Sequence, residues 1–222
     1  MPGPPDVISG LSARYRLLDP IGRGGMAEVY SALDARHDRM VAIKFVEVAP
    51  ELNGADRFLR ELRIAARLSH PHLLPVFDSG EVAGRMYYVM PLVIGESLRE
   101  RLRREGRLPT GEVIRVTREI ADALDYAHGQ GIVHRDVKPE NILLSQNHVL
   151  LADFGIARLV VGGDTITAHG MAIGTPAYMS PEQLFGEDAG PPADVFALGA
   201  VIYEMLSGTP PDRMALEPPS GP

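Results

Sequence analysis

HRDVKPEN, at residues 134–141, and DFG, at residues 153–155, are the stretches that decide the fold and the chemistry of this chain. The Val- and Leu-rich segment between them predicts a short hairpin of two strands. Such a hairpin is expected to hold its flanking residues rigidly. Together the stretches supply two aspartates, an amide oxygen, a lysine and an arginine, a set of groups suited to phosphate and Mg²⁺.

Metal chemistry predicts different roles for the two aspartates. Mg²⁺ takes oxygen ligands in an octahedron and usually shares one or two carboxylates with substrate phosphates. Asp153 and the amide oxygen of Asn141 are therefore the predicted ligands. Asp136 then remains available to accept a proton from a hydroxyl group.

Composition excludes several classes of protein. The chain has 222 residues, of which 45% are apolar, and this is ordinary for a globular protein with a sizeable core. A net charge of -7 with interspersed signs argues against a nucleic-acid surface. The absence of cysteine excludes disulfides and thiol nucleophiles and fits a reducing cytoplasm. Residues 1–10 lack the features of a secretory signal, and no apolar run is long enough for a membrane span, so we expect a soluble, cytoplasmic chain.

Hydrophobic periodicity predicts a β-rich first part and an α-rich second part. Strands are predicted from about Tyr15, around Val29 and over residues 41–46 and 86–90. Helices are predicted over residues 56–68, from Thr110 to Gly129 or Gly131, and over residues 195–205. The last of these is apolar nearly all round, which favours a buried helix.

Two of the predicted helices have a clear apolar face. The first carries Phe58, Leu62, Ala65 and Ala66 at helical spacing. Thr110 is the predicted cap of the second helix. Its apolar stripe consists of Val113, Val116, Ile120, Ala123, Leu124 and Ala127.

A Gly-rich turn lies between the first two predicted strands, where Gly22, Gly24 and Gly25 precede Ala27. Glycines let the backbone approach an anion closely, so the N–H groups of this turn can face phosphate oxygens. An ordinary hairpin turn is the alternative interpretation. The turn alone does not decide between the two.

Lys44 lies inside an apolar strand, and Glu61 lies on the same helical face as Phe58 and Ala65. Taken singly, such a lysine is more often one that extends its ammonium group to solvent. An inward-facing acid needs a compensating charge, however, and a pair between Lys44 and Glu61 would satisfy both groups.

The ordered motifs resemble those of the protein kinases, and within them the bacterial eukaryotic-like (Hanks-type) serine/threonine protein kinases. Residues 25–30, 134–141 and 174–182 carry the resemblance, which extends over about residues 15–211. It implies an α+β, bilobal fold with a small β-rich N-lobe, one key helix and a mainly helical C-lobe. The expected organisation is a flexible leader (1–10), the N-lobe (11–90), a hinge (91–95), a partial C-lobe (96–211) and a Pro-rich tail (212–222).

The resemblance implies transfer of the γ-phosphoryl group of ATP to Ser or Thr hydroxyls of protein substrates, with Mg²⁺, or alternatively Mn²⁺, as the cofactor. The implied catalytic residues are Asp136, Lys138, Lys44 and Glu61, and the implied metal ligands are Asn141 and Asp153. Lys138 also resembles the lysine of serine/threonine rather than tyrosine kinases. The implied nucleotide contacts are Ile21, Gly22, Gly24, Gly25, Val29, Ala42, Lys44, Met90, Pro91, Val93, Ser97, Asn141, Leu143 and Asp153.

Regulation by phosphorylation is also implied. The segment after Asp153 contains Thr165, Thr167 and Thr175, and Arg135 stands beside the predicted catalytic acid. A phosphothreonine would offer Arg135 a dianion and could order the segment. The alternative is a surface loop without a switch. Self-association is the expected route to phosphorylation of one copy by another.

Two further residues have competing interpretations. We predict that His134 packs beneath Phe154 and takes no part in proton transfer. Asp194 either caps a surface helix or, as the resemblance implies, accepts backbone N–H groups of the HRDVKPEN loop. The apolar helix that follows favours the second role.

The end of the chain departs from the family pattern, because it becomes Pro-rich from Asp212 where further helices are expected. Apolar surface around residues 195–205 should then be exposed. Two functions follow from this departure. One is an active protein kinase, and the other is a truncated kinase-like module that binds a nucleotide or a partner with little catalysis.

Overall fold

The computed structural model describes residues 11, 14–23, 27–46, 54–145, 148–154 and 176–212. Within these ranges the chain forms two compact units. The first contains the described residues up to Ser69 together with Leu74–Ile94. The second contains His70–Leu73 and the described residues from Gly95 onward.

The first unit is built on an antiparallel sheet of five strands in the order β1-β2-β3-β5-β4. The four predicted strands are confirmed as β1 (Tyr15–Arg23), β2 (Ala27–Asp34), β3 (Arg39–Val46) and β5 (Arg85–Pro91). The remaining strand, β4 (Asp78–Val82), was not predicted.

The two faces of this sheet have different partners. One face packs a cluster of buried side chains that includes Ile43, Phe45 and Val89. The opposite face carries Lys44 and Tyr88, which are paired across β3 and β5. The Tyr88 ring lies 6.5 Å from the ring of Phe58, so the helix that carries Phe58 packs on the side of Lys44.

That helix is α1 (Gly54–Ala65), which ends three residues before the predicted end at Leu68. Phe58, Leu62 and Ala65 are buried as predicted. The prediction that Ala66 belongs to the apolar face of this helix is wrong, because Ala66 lies in the turn after the helix and is exposed. Leu68 is buried because the turn folds back, with its N–H donating to the carbonyl of Ala65.

A charged cluster surrounds Asp34 at the end of β2. Asp34 is fully buried, and His37 Nδ1 lies 2.9 Å from its carboxylate. Arg14 and Arg39 approach the same carboxylate at 3.4 Å and 3.6 Å. Burial alone would raise the pKa of Asp34, but the hydrogen bonds from His37 and Arg14 and their charges outweigh burial and lower it.

The second unit combines a small sheet with helices. Its sheet contains β6 (Gly95–Ser97), β7 (Ile142–Ser145) and β8 (Val149–Leu151), and the β7–β8 pair is the hairpin predicted between the two motifs. Its helices are α2 (Leu98–Glu105), α3 (Thr110–Gly129), α4 (Pro181–Leu184) and α5 (Pro191–Ser207). Short 3₁₀ turns cover Pro139–Asn141 and Pro176–Tyr178.

Periodicity predicted α3 well, but not its cap. The whole predicted apolar stripe of this helix is buried, and the helix ends at Gly129. Thr110 is the first residue of the helix, and Pro109 is at the N-cap position without a side-chain hydrogen bond. The prediction that Thr110 caps α3 is therefore wrong.

Strand β6 was also missed, because only pairing with β7 makes it a strand. Gly95 lies opposite Ser145, and a Cβ atom at Gly95 would stand 2.1 Å from the carbonyl oxygen of Leu144. The close approach of the two backbones thus requires glycine at this position.

Helix α5 has two different faces. Eight of its residues are buried, among them Ala197, Val201 and Met205. Val195 and Tyr203 are 64% and 52% exposed, so the prediction of a helix buried all round is wrong. The alternative expectation, that apolar surface is exposed on this helix, is confirmed. Among the described residues, no helix is both long and apolar enough to cross a bilayer.

The Asp34 cluster predicts a specific acid sensitivity. Since the folded-state pKa of Asp34 lies below its unfolded value of about 3.9, the stabilisation is complete above about pH 5 and is lost as the pH falls. Urea unfolding from about pH 6 to pH 3 should therefore show that Asp34→Asn loses less free energy of unfolding than the wild type over this range.

Asp38→Asn is the matched control, because Asp38 is an exposed aspartate four residues away. This variant should follow the wild-type pH dependence. Equal slopes for Asp34→Asn and the wild type would contradict the assigned role of Asp34.

Candidate active site

A buried carboxylate anchors the HRDVKPEN loop. Asp194, in the first turn of α5, is fully buried. Its oxygens accept the backbone N–H groups of His134 at 2.8 Å and Arg135 at 2.7 Å. The ring nitrogen His128 Nε2, on α3, lies 2.8 Å from the same carboxylate. The predicted anchoring role of Asp194 is confirmed.

The same loop surrounds Asp136 with nitrogen donors. Lys138 Nζ lies 2.8 Å and 2.7 Å from the two carboxylate oxygens of Asp136. Asn141 Nδ2 donates to the backbone carbonyl of Asp136 at 2.8 Å and to its carboxylate at 2.9 Å. Asp136 and Lys138 are both partly exposed, so a substrate can reach them. The loop thus presents a carboxylate and an ammonium group side by side.

The orientation of Asn141 suits a metal ligand. Because its amide nitrogen points to Asp136, its amide oxygen points away from that carboxylate. The chain enters β7 directly after Asn141 and leaves β8 directly before Ala152 and Asp153. The N–H of Ala152 donates to the carbonyl of Asn141 at 2.9 Å, so the hairpin brings the two predicted metal ligands to the same end.

The donor set fits Mg²⁺ chemically. A carboxylate and an amide oxygen are hard ligands, and Mg²⁺ commonly completes its shell with phosphate oxygens and water. Within the described ranges, no group of three or more His, Cys, Asp or Glu side chains could hold a metal by itself. Asp153 adopts φ +67°, a left-handed conformation that is uncommon for a residue with a side chain and frequent at functional sites.

His134 has the structural role predicted for it. It is fully buried, and its ring lies 4.5 Å from that of Phe154, edge to face and not stacked. The ring accepts the N–H of Asp136 at Nδ1 (3.2 Å) and donates from Nε2 to the carbonyl of Ala152 (2.8 Å). Since an amide N–H only donates and a carbonyl only accepts, the ring is the neutral tautomer with hydrogen on Nε2. It ties Ala152, directly after β8, to the HRDVKPEN loop.

In the first unit, the sheet register brings predicted nucleotide contacts to one face. Gly22 pairs with Val29, Val29 pairs with Lys44, and Ala42 pairs with Met90. Directly opposed residues of an antiparallel pair, and residues two apart on a strand, project to the same side. These five residues therefore share the face of the sheet on which α1 packs.

The other predicted nucleotide contacts lie at several separate places in the two units. Ile21 is exposed on β1, Pro91 ends β5 opposite Val41, and Val93 is half-buried in the segment that follows. Leu143 is half-buried on β7, opposite Ser97. The Ser97 hydroxyl hydrogen bonds the Glu100 carboxylate at 2.8 Å as the N-cap of α2, a role that the sequence prediction did not assign.

Several predicted residues lie outside the described residues and stay predictions. They are Gly24, Gly25, Thr165, Thr167, Thr175 and the side chain of Glu61. The predicted ion pair between Lys44 and Glu61 is untested for the same reason.

Sequence reasoning missed a charged cluster at the base of α2. Arg99 donates to Glu204 on α5 at 2.6 Å and to Glu140 at 2.8 Å. Tyr178 hydrogen bonds both Arg99 and Glu204. Burial and the bond to Glu204 raise the pKa of the Tyr178 hydroxyl. Glu204, an acid inside an apolar helix, was the available signal, because a buried acid needs a partner.

Comparison with known proteins agrees with this architecture. Residues 15–216 match the family model described as the protein kinase domain. Serine/threonine-protein kinase PknD of Mycobacterium tuberculosis is 43% identical over 202 residues, which are 90% of this chain and 30% of the relative. Serine/threonine-protein kinase PknB of Mycobacterium leprae is 42% identical over 208 residues, which are 90% of this chain and 33% of the relative.

Solved structures give the same result. The crystal structure of the M. tuberculosis PknI kinase domain matches with a TM-score of 0.75 and 34% identity, over 95% of this chain and 79% of that one. A structure of Rad53 in complex with AMP-PNP matches with a TM-score of 0.74 and 26% identity, over 90% and 50% of the two chains.

The chain belongs to the protein kinase domain family. The predicted α+β fold, with an antiparallel sheet in the N-lobe and a helical C-lobe, is confirmed. The chain spans about a third of the length of the curated relatives that it matches.

The Arg99 cluster predicts a stability difference between two arginines of α2. Arg99→Met would leave Glu204, which is 2% exposed, as an unpaired buried charge, and we expect a loss of about 3 kcal/mol in the free energy of unfolding. Arg101, whose partners Glu96 and Glu112 are partly exposed, is the control, and Arg101→Met should cost less than about 1 kcal/mol. Urea unfolding of both variants checks this. Similar losses would contradict the special role of Arg99.

Proposed function

We propose that this chain is the catalytic domain of a serine/threonine protein kinase, which transfers the γ-phosphoryl group of ATP to Ser or Thr hydroxyls of proteins. The observation that carries the proposal is the arrangement of Asp136, Lys138 and Asn141 on a loop anchored by Asp194. The names of the relatives support the substrate class, since they are serine/threonine-protein kinases.

In the proposed reaction, the substrate hydroxyl oxygen forms a bond to the γ-phosphorus while the bond to the β,γ-bridging oxygen breaks. ADP leaves with the bonding electron pair. Asp136 orients the hydroxyl and takes its proton. Lys138, which lies against Asp136, offers its ammonium group to the γ-phosphoryl oxygens.

The proposed cofactor is Mg²⁺, with Mn²⁺ as an alternative, held by Asn141 and Asp153. When bound, the ion neutralises charge on the phosphate oxygens. Lys44, paired with Glu61, is proposed to contact the α- and β-phosphates. The adenine base is assigned to Val29, Ala42 and Met90, which share a face of the sheet, and to Pro91, Val93 and Leu143. Gly22, Gly24 and Gly25 are assigned to phosphate cover. Ile21 and Ser97 are further proposed nucleotide contacts.

Regulation and setting complete the proposal. Phosphorylation of Thr165, Thr167 or Thr175 by a second copy of the chain would supply a dianion for Arg135, which directly precedes Asp136. We place the proposed reaction in the cytoplasm, where ATP is available.

Mass spectrometry after incubation with Mg·ATP should find phosphate on Thr165, Thr167 or Thr175. The absence of phosphate from these threonines in an active preparation would remove the proposed regulation.

The transfer reaction itself is tested with Asp136→Asn. We expect transfer from radiolabelled ATP to a generic basic protein to fall at least about 100-fold, because the proton acceptor is lost. Binding of Mg·ATP, measured by thermal shift, should change little, since Asp136 is not a proposed nucleotide contact.

Asp125→Asn is the matched control, because Asp125 is exposed on α3 and lies outside the proposed site. It should transfer phosphate like the wild type. Nucleotide binding by the wild type without any transfer would refute the enzyme and favour the alternative, a kinase-like binding module.

The metal assignment is tested with Asp153→Asn. Removing the anionic ligand should raise the Mg²⁺ concentration needed for half-maximal ATP binding at least about tenfold, since even indirect partners of a metal site cost that much. Calorimetric titration of ATP at a series of Mg²⁺ concentrations measures this. An unchanged Mg²⁺ dependence would exclude Asp153 as a ligand.

A further inference from the structure

The residue before the proposed catalytic aspartate has a strained backbone. Arg135 adopts φ +67°, in the left-handed region that is unfavourable for a residue with a Cβ atom. Such a conformation persists only where the surroundings hold it. The contacts of the neighbouring peptide groups show what holds it here.

The peptide group that joins Arg135 to Asp136 is held at both ends. Its carbonyl oxygen accepts a hydrogen bond from Gln183 Nε2 at 2.8 Å. Its N–H group donates to His134 Nδ1 at 3.2 Å. The preceding N–H, that of Arg135, donates to Asp194 at 2.7 Å. Rotation of this peptide would break the contacts to Gln183 and His134 together, so they fix the backbone from which the Asp136 side chain projects.

Gln183 comes from a different element, and its side chain has a second task. It occupies the third position of α4, where its Oε1 accepts the backbone N–H of Ser180 at 3.0 Å and lies 3.2 Å from the Ser180 hydroxyl. This is a capping box, in which either glutamate or glutamine serves. Capping needs only the acceptor oxygen. The contact to Arg135 needs a donor, which glutamine has and glutamate lacks.

Helix α2 provides an internal comparison. Its capping box uses Ser97 and Glu100, and the Glu100 carboxylate accepts from the Ser97 N–H at 2.7 Å. The hydrogen bonds of the Glu100 side chain are to Ser97 alone among the described residues. Glu100, whose capping box only caps a helix, is an acid. Gln183, whose capping box also contacts the HRDVKPEN loop, is an amide.

We propose that Gln183 is a positioning residue for phosphoryl transfer. Its amide group holds the Arg135–Asp136 peptide and thereby aims the Asp136 carboxylate at the substrate hydroxyl. The proposal rests on the proposed function of Asp136. It also links α4, through one side chain, to the loop that carries the chemistry.

Gln183→Glu tests the proposal, because it keeps the acceptor of the cap and the shape of the side chain but removes the donor. We expect kcat to fall at least about tenfold, since small errors in placing a catalytic group are costly, while the KM for ATP stays within about threefold. Amide hydrogen exchange at Arg135 and Asp136 should become faster. Glu100→Gln makes the reverse exchange in the other capping box and should leave kcat and this exchange unchanged.

Gln183→Leu removes the donor without placing a charge near the carbonyl, and it serves if Gln183→Glu does not fold. Unchanged kcat in the folded variant, or unchanged exchange at residues 135 and 136, would overturn the proposal. A fall in kcat of the same size in Glu100→Gln would also overturn it, because the effect would then be one of helix capping. If the wild type transfers no phosphate and the exchange still accelerates, the proposed function fails while Gln183 retains its hold on the peptide.

Discussion

The buried carboxylate of Asp194 is the constraint on which the second unit depends. A carboxylate without solvent contact is costly unless hydrogen bonds satisfy it, and here backbone N–H groups of His134 and Arg135 do so together with the ring of His128. The three donors come from the HRDVKPEN loop and from α3. Satisfying one buried charge therefore fixes the position of the loop relative to both α3 and α5.

A second buried acid on the same helix performs a related task. Glu204 lies about three turns after Asp194, and it is compensated by Arg99 of α2 and by the hydroxyl of Tyr178. Arg99 also contacts Glu140, one residue before the proposed metal ligand Asn141. Helix α5 thus holds the loop at one end through Asp194 and reaches its other end through Glu204. Its apolar run supplies the buried face from which both acids project.

Local periodicity explains why most of the elements could be predicted. The stripe of α3 and the strands around Lys44 are continuous apolar patterns, and burial of those positions follows from the pattern. Two failures have different causes. Gly95 became a strand residue through pairing with Ser145, a partner distant in sequence. Ala66 became exposed for a local reason, because the chain turned at the end of α1. The sequence of α5 is apolar on nearly all sides, so its pattern does not predict which face is buried and which is exposed.

The sequence by itself determined the family, the order of the motifs and the side-chain groups of Asp136, Lys138, Asn141 and Asp153 on which the proposed chemistry rests, because residue type and spacing are local properties. Only the tertiary structure decided which groups hold these residues in place. The contact of His128 with Asp194, the Arg99–Glu204 pair and the contact of Gln183 with the Arg135 carbonyl join residues 48 to 105 positions apart. Such contacts arise from the geometry of packing and charge compensation, which no local pattern in the chain encodes.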